Sequence, residues 1–213
     1  MNLSPAQVHL WVQSLDLSAG QLATCLDLLS PGERARAARF HFDRHRNHFI
    51  AARGRLREIL SAYLDTPPNQ IVFTYAEKGK PSVASPSLKF NLSHSGGLAV
   101  YAFTDTREIG VDIEEIRLDV ANERIPEHFF SPAEVRTLRG LPEAMQGRGF
   151  FKYWTRKEAY IKARAEGLSI PLNSFDVSVS PVDGWTLRSF DLPPNHVGAV
   201  AAAGESDYAI IWR

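Results

Sequence analysis

The chain has 213 residues, 44% of them hydrophobic and 23% charged, enough to bury a full core and ordinary for a globular protein. Lysine plus arginine balances aspartate plus glutamate at 24 each, so net charge gives no grounds for a nucleic-acid or anionic-membrane binder. No apolar run is long enough to span a bilayer, "MNLSPAQVHLWVQSL" lacks the features of a secretion signal, and the lone cysteine, Cys25, excludes an intrachain disulfide; a reducing cytoplasm is the expected compartment.

In chain order, "VHLWVQSL" predicts a first strand. "SPGERARAARF" predicts a helix, with Ser30 as N-cap and Pro31 at its first position. "RNHFIAARGRLREILSAYL" predicts a long amphipathic helix with Phe49, Ala52, Leu56, Ile59, Leu60 and Tyr63 on one side, and "TPPNQ" breaks it. "IVFTYA" reads as a strand, "EKGKPSVASPS" as a loop, and "LKFNLSHSGG" as a strand running into a polar turn. "LAVYAFT" and "REIGVDIEEI" read as strands joined by a hairpin at "DTRE". "SPAEVRTLRG" is a short capped helix, and "PEAMQGRGFFKYWTRKEAYIKARAEGL" a long one that closes at Gly167. "FDVSVS", "WTLRSF", "VGAVAAA" and "DYAIIWR" predict a C-terminal antiparallel run. Each half thus holds helices followed by strands, with a hinge near Thr104 to Arg107 and no evident sequence repeat.

Charge is unevenly spread: Gly32 to Glu58 holds eight arginines and three acids, Gly110 to Phe130 six acids and two arginines. Within "GVDIEEI", strand alternation puts Asp112 and Glu114 on one face and Val111, Ile113 and Glu115 on the other. Neighbouring carboxylates repel unless a cation or proton lies between them. The pair fits either half of a Mg²⁺ site or an edge strand with one wet face. In "WTRKEAYIK", Trp154, Glu158 and Lys162 fall four apart on one helical stripe. Taken alone, that stripe is either a surface salt bridge or a third metal carboxylate with a lysine beside a transferring phosphate. "FNLSHSG" offers Ser93, His94 and Ser95 before two glycines, a set whose exposed hydroxyls, imidazole and free N–H groups suit a phosphate or a polar hairpin end. "EKGKP" flanks a glycine with Lys78 and Lys80 but is not a P-loop. Cys25 has no nucleophile context and reads as a small buried hydrophobe.

Together, an Arg-rich first half, K-G-K-P, F-N-x-S-H-S-G, G-V-D-I-E and W-x-x-K-E-A-x-x-K resemble the 4′-phosphopantetheinyl transferases of the surfactin-synthetase-activating (Sfp) type, over nearly the whole chain. The resemblance implies an α+β fold, a pseudo-dimer of two similar α/β subdomains at residues 1–105 and 106–213, with coenzyme A in the cleft between them. It implies transfer of phosphopantetheine from coenzyme A to a serine of an apo acyl or peptidyl carrier protein, with release of 3′,5′-ADP. It assigns Asp112, Glu114 and Glu158 to Mg²⁺, or Mn²⁺, and Lys162 to the leaving phosphate; Glu158 is also a candidate base for the serine. It places Ser93 and His94 at coenzyme A phosphates, with Asp112 and Lys162 also at the cofactor. Lys78 and Lys80 fall near the adenosine end, and Arg36 and Arg53 near the 3′-phosphate. Glu33 stands where some members carry a lysine, and Glu115 is expected to face water. The segment "NERIPEHFFSPAEVRTLRGLPEAMQGRGFF" is the implied carrier-docking region, with Phe129, Phe130 and Leu138 either as contacts or as core residues, and the protein is expected to be a cytoplasmic monomer with neither nucleic acid nor membrane as partner. Competing assignments are a Mg²⁺-dependent nuclease and a non-catalytic coenzyme A binding module.

Overall fold

The computed structural model describes residues 1–117, 124–165 and 170–213. The first part runs β1 (Gln7–Ser14), α1 (Ala19–Leu28), α2 (Pro31–Ala37), α3 (Asp43–Leu64), β2 (Phe73–Tyr75), β3 (Pro81–Val83), β4 (Lys89–Ser95) and β5 (Leu98–Thr104). The second runs β6 (Ile109–Glu115), α4 (Ile125–Phe129), α5 (Pro132–Arg139), α6 (Glu143–Arg164), β7 (Trp185–Leu192), β8 (His196–Ala203) and β9 (Ala209–Trp212).

The two parts repeat one topology. Among the described residues of each, an opening strand is followed by three α-helices and later by a hairpin whose last strand returns antiparallel to the opener: β1 with β5 beside β4, and β6 with β8 beside β7. The repeat has a sequence trace that the linear reading missed. Ser30-Pro31-Gly32-Glu33 and Ser131-Pro132-Ala133-Glu134 both form capping boxes with proline in the first turn. Each box glutamate is buried and pairs with a cation of the long helix, Glu33 with Arg57 at 2.7 Å and Glu134 with Lys157 at 2.8 Å. Arg57 lies 14 residues after Asp43, and Lys157 lies 14 after Glu143, so the two pairs occupy equivalent places on helices of equal length. Glu33, which stands where some members carry a lysine, is therefore a structural anchor.

The sequence-predicted face of α3 supplies Ala52, Leu56, Ile59 and Leu60 to a core with Phe90, Tyr101 and Phe103 of β4 and β5. Cys25 is buried, as expected, and burial pushes its thiol up. A β-carbon on Gly54 would lie 2.5 Å from Cys25 Cβ, so α1 and α3 approach as closely as only glycine allows. Between the sheets, Val111 and Ile113 of β6 pack with Val8, Leu10 and Val100 of the first part.

Several expectations are corrected. "DTRE" is not a hairpin: β5 and β6 belong to different sheets, and the Arg107 guanidinium ties the crossover to carbonyls of Ala203, Gly204 and Ser206. β9 does not extend the C-terminal antiparallel run. β8 already has β6 and β7 on its two edges, and β9 instead lies parallel to the open edge of β1, with Gln7 opposite Ala209 and Leu10 opposite Trp212. "FDVSVS" is not a strand, because side chains satisfy its backbone: Glu134 accepts from the Val177 N–H, and Arg156 donates to the Val177 and Val179 carbonyls. Helix α1, capped by Ser18 and Gln21, was not read, and the "EKGKPSVASPS" loop contains the short strand β3. Helix α3 starts at Asp43, three residues before the predicted segment, which opens at Arg46. Helix α6 ends at Arg164, with Ala165 left-handed at φ 56°; the predicted stop at Gly167 lies outside the described residues.

Candidate active site

The site forms where β4 of the first part meets β6 and α6 of the second. On β6, Gly110, Asp112 and Glu114 share a face by alternation. A β-carbon on Gly110 would lie 2.1 Å from the Ala159 carbonyl oxygen and 2.3 Å from Ala163 N, so glycine lets α6 run against the strand. Ala159 and Ala163 line that contact, and Glu158 and Lys162, each one residue earlier on the helix, emerge beside Asp112. The i, i+4 stripe predicted from "WTRKEAYIK" is therefore turned towards the carboxylates of β6.

The Lys162 ammonium donates to Asp112 Oδ1 at 2.6 Å and to Ser93 Oγ at 3.1 Å, and the Ser93 hydroxyl donates to the same Asp112 oxygen at 2.8 Å. Ser95 Oγ donates to Glu114 Oε2 at 2.8 Å. Asp112 is 3% exposed, and its second oxygen, Oδ2, is buried without a hydrogen-bond partner. Leu92, Ser93, His94, Asp112, Glu114, Trp154, Glu158 and Lys162 enclose one hollow of about 470 Å³. Burial, and then the Asp112 charge, hold the Glu158 carboxyl above its ordinary range. Glu114 is also raised, chiefly by burial, with the Ser95 hydrogen bond opposing and the Asp112 charge adding to it. His94 is lowered by burial and then by the Lys162 charge. Among the described residues, no three Asp, Glu, His or Cys side chains are drawn into a ready coordination shell.

The remaining sequence-predicted residues surround this hollow. His94 also lines a basic cleft of about 690 Å³ with Arg36, Arg44, His45, His48, Arg53 and Arg117. Arg36 stacks over Phe49, and Arg53 lies over Phe73 and Tyr75 with its Nε 3.4 Å from Glu33 and its Nη1 buried without a hydrogen-bond partner. Lys78 is exposed at the β2–β3 turn, where Gly79 adopts φ 82°. Lys80 points inward, donating to the Ile109 and Ala163 carbonyls at 2.9 and 3.3 Å; its ammonium braces β6 against α6.

Two expectations change, and a third, left open between docking and core, is resolved. The Ser93 hydroxyl is not exposed but is held by Asp112 and Lys162 in a residue 8% exposed. Glu115 does not simply face water: it is half-buried, its N–H donates to Ser95 Oγ, and its carboxylate and His196 close on the Gly96 turn. Phe130 and Leu138 are core residues, 2% and 1% exposed, while Phe129 is 41% exposed and meets Trp154 edge-on. Gly110 and Asn91 were not singled out, although G-x-D-x-E and N-x-S-x-S, read at period two, were the available signals.

Residues 16–106 match the N-terminal region of 4′-phosphopantetheinyl transferases, and residues 108–210 match the 4′-phosphopantetheinyl transferase superfamily. The chain is 40% identical to the 4′-phosphopantetheinyl transferase HetI of Nostoc over 225 aligned positions, covering 100% of this chain and 94% of that protein. It belongs to the 4′-phosphopantetheinyl transferase superfamily. Further transferases of this family align with it: psf-1 of Bacillus pumilus is 39% identical over 73% of this chain and 66% of its own length. Sfp of Bacillus subtilis is 33% identical over 80% and 74%. The chain is thus a phosphopantetheinyl transferase, an enzyme that uses coenzyme A to modify carrier proteins, with the mixed α+β pseudo-dimer fold. The nuclease and the non-catalytic binding module are set aside. Among the described residues of this transferase, no helix is long and apolar enough to cross a membrane.

Proposed function

We propose that Asp112, Glu114 and Glu158 hold the divalent cation of this transferase, Mg²⁺ with Mn²⁺ as a substitute, against the pyrophosphate of coenzyme A. The observation that carries this reading is that three hard-oxygen side chains and Lys162 line one hollow, with a buried Asp112 oxygen left without a partner. Bound there, Mg²⁺ supplies charge neutralisation to the pyrophosphate oxygens. In transfer, the carrier serine Oγ–P bond forms as the pyrophosphate P–O bond breaks, and 3′,5′-ADP leaves. Glu158, which lines the same hollow, is the group placed to take the serine proton. Lys162 sits at 2.6 Å from Asp112, where its ammonium can turn to the departing phosphate oxygen and stabilise the charge that develops there.

We assign the basic cleft of Arg36, Arg53 and His94 to the 3′-phosphate end of coenzyme A; the unpartnered Arg53 Nη1 and the adjoining hollow at His94 support this. Ser93 contacts the cofactor from the seam, and Lys78 from the exposed turn. Lys80 acts on the cofactor indirectly, through the strand and helix it braces. We divide the chain accordingly into residues 1–105 for coenzyme A and 106–213 for cation and chemistry, a reading that the positions of these residues support. The partner is an apo acyl or peptidyl carrier domain that approaches near Phe129, and the working form is a cytoplasmic monomer.

The test is intact-mass spectrometry of an apo carrier protein incubated with the enzyme, coenzyme A and Mg²⁺. A gain of one phosphopantetheine that is lost with EDTA, and lost when the carrier serine is changed to alanine, is the expected result. Transfer that persists in EDTA would overturn the cation assignment.

A further inference from the structure

β6 is paired with β8 along one edge only, and its other edge faces β4, with which it forms no ladder. Side chains from the first part satisfy that edge. Asn91 Oδ1 accepts from the Val111 N–H at 2.9 Å, Ser95 Oγ accepts from the Glu115 N–H at 3.1 Å, and Lys80 donates to the Ile109 carbonyl at 2.9 Å. Asn91, Ser93 and Ser95 alternate along β4, so all three reach the same strand. A hydroxyl has one proton. Because the Ser95 oxygen is anchored by the Glu115 N–H, that proton is aimed at Glu114 Oε2, 2.8 Å away.

We propose that Ser95 is a positioning residue that orients Glu114 for divalent-cation binding, so that the first part of the chain aligns a ligand carried by the second. Glu114 needs such help more than Asp112 does. It has one more rotatable bond, stands where β6 becomes half-buried, and lacks the lysine that grips Asp112. The inference rests on Glu114 serving as a cation ligand. A hydrogen-bonded outer residue that orients a metal carboxylate is worth about tenfold or more in affinity.

The experiment is Mn²⁺ titration by electron paramagnetic resonance, with coenzyme A present, on the full chain as wild type and as Ser95→Ala, Ser95→Thr, Asn91→Ala and Asp112→Ala. Ser95→Ala is expected to weaken Mn²⁺ binding about tenfold and to raise the Mg²⁺ concentration for half-maximal transfer by a similar factor, while Ser95→Thr restores both. Asn91→Ala removes a neighbouring rung that touches no carboxylate and is expected to lower the melting temperature without moving Mn²⁺ affinity. Wild-type affinity in Ser95→Ala, or an equal loss in Asn91→Ala, would overturn the assignment. Should Ser95→Ala not fold, the folded Ser95→Thr and Ser95→Cys proteins decide, since only the former keeps a strong donor. If wild type and Asp112→Ala bind Mn²⁺ alike, the cation site itself has been misplaced, a failure distinct from that of Ser95 alone.

Discussion

Gly110→Ala is the sharpest probe of how the fold builds this site. The added methyl would lie 2.1 Å from the Ala159 carbonyl oxygen and 2.3 Å from Ala163 N, both atoms of the α6 backbone. No rotamer change relieves such a contact, so α6 must move off β6 by about 1.3 Å to reach ordinary van der Waals separation. Overpacking of this kind costs about 1–3 kcal/mol, which for a chain of this size lowers the melting temperature by roughly 2–12 °C. The functional loss should be larger, because Glu158 and Lys162 travel with α6 while Asp112 stays on β6. A displacement of about 1 Å in a catalytic constellation costs on the order of 100-fold in rate. Calorimetry and carrier-modification rates on the same preparation check both. A folded Gly110→Ala protein that transfers within about twofold of wild type would refute the view that strand–helix contact at Gly110 sets the catalytic geometry.

Glu158→Gln should abolish transfer without unfolding the protein, and Lys162→Ala should lower kcat more than it raises KM for coenzyme A; a change confined to KM would remove Lys162 from the transition state. Because burial and neighbouring carboxylates raise Glu158, it binds a proton more tightly folded than unfolded. Its stabilising contribution is present at low pH and is lost as pH rises through its raised value. In EDTA, Glu158→Gln should therefore melt above wild type on the alkaline side of that value and level with it on the acid side, read by thermal melts across pH. Glu134→Ala strips the α5 capping box and the Val177 N–H of their partner and the fully buried Lys157 of its only paired carboxylate among the described residues, and should cost about 3–5 kcal/mol in urea unfolding. A loss below about 1 kcal/mol would show that the Leu172 and Phe175 carbonyls, to which Lys157 also donates, hold its ammonium without Glu134.

Much of the site was legible before any fold. Period two on "GVDIE" placed Asp112 and Glu114 on one face, and period four on "WTRKEAYIK" placed Glu158 and Lys162 on one stripe, because these spacings follow from backbone geometry alone. The α2 and α5 caps were readable for the same local reason. Strand pairing was not. "DYAIIWR" carries the pattern of a strand but not the address of its partner; the edges of β8 are occupied, and tertiary packing sets β9 on β1 rather than on the outer edge of β7.

The tertiary structure also decided which polar residues are spent on the protein itself. Glu33, Lys80 and Ser95 all sit in motifs rich in charge or hydroxyls; composition suggests phosphate for Lys80 and Ser95, and Glu33 stands in the Arg-rich stretch where some relatives carry a lysine. Packing gives each an internal partner: Arg57 for Glu33, the β6 and α6 carbonyls for Lys80, and Glu114 for Ser95. A sequence states which groups can ionise or donate. Whether a group meets a ligand or a neighbour depends on contacts between residues 19 to 83 positions apart, such as Ser95 with Glu114 and Lys80 with Ala163, and those exist only once two separately built sheets are brought edge to edge.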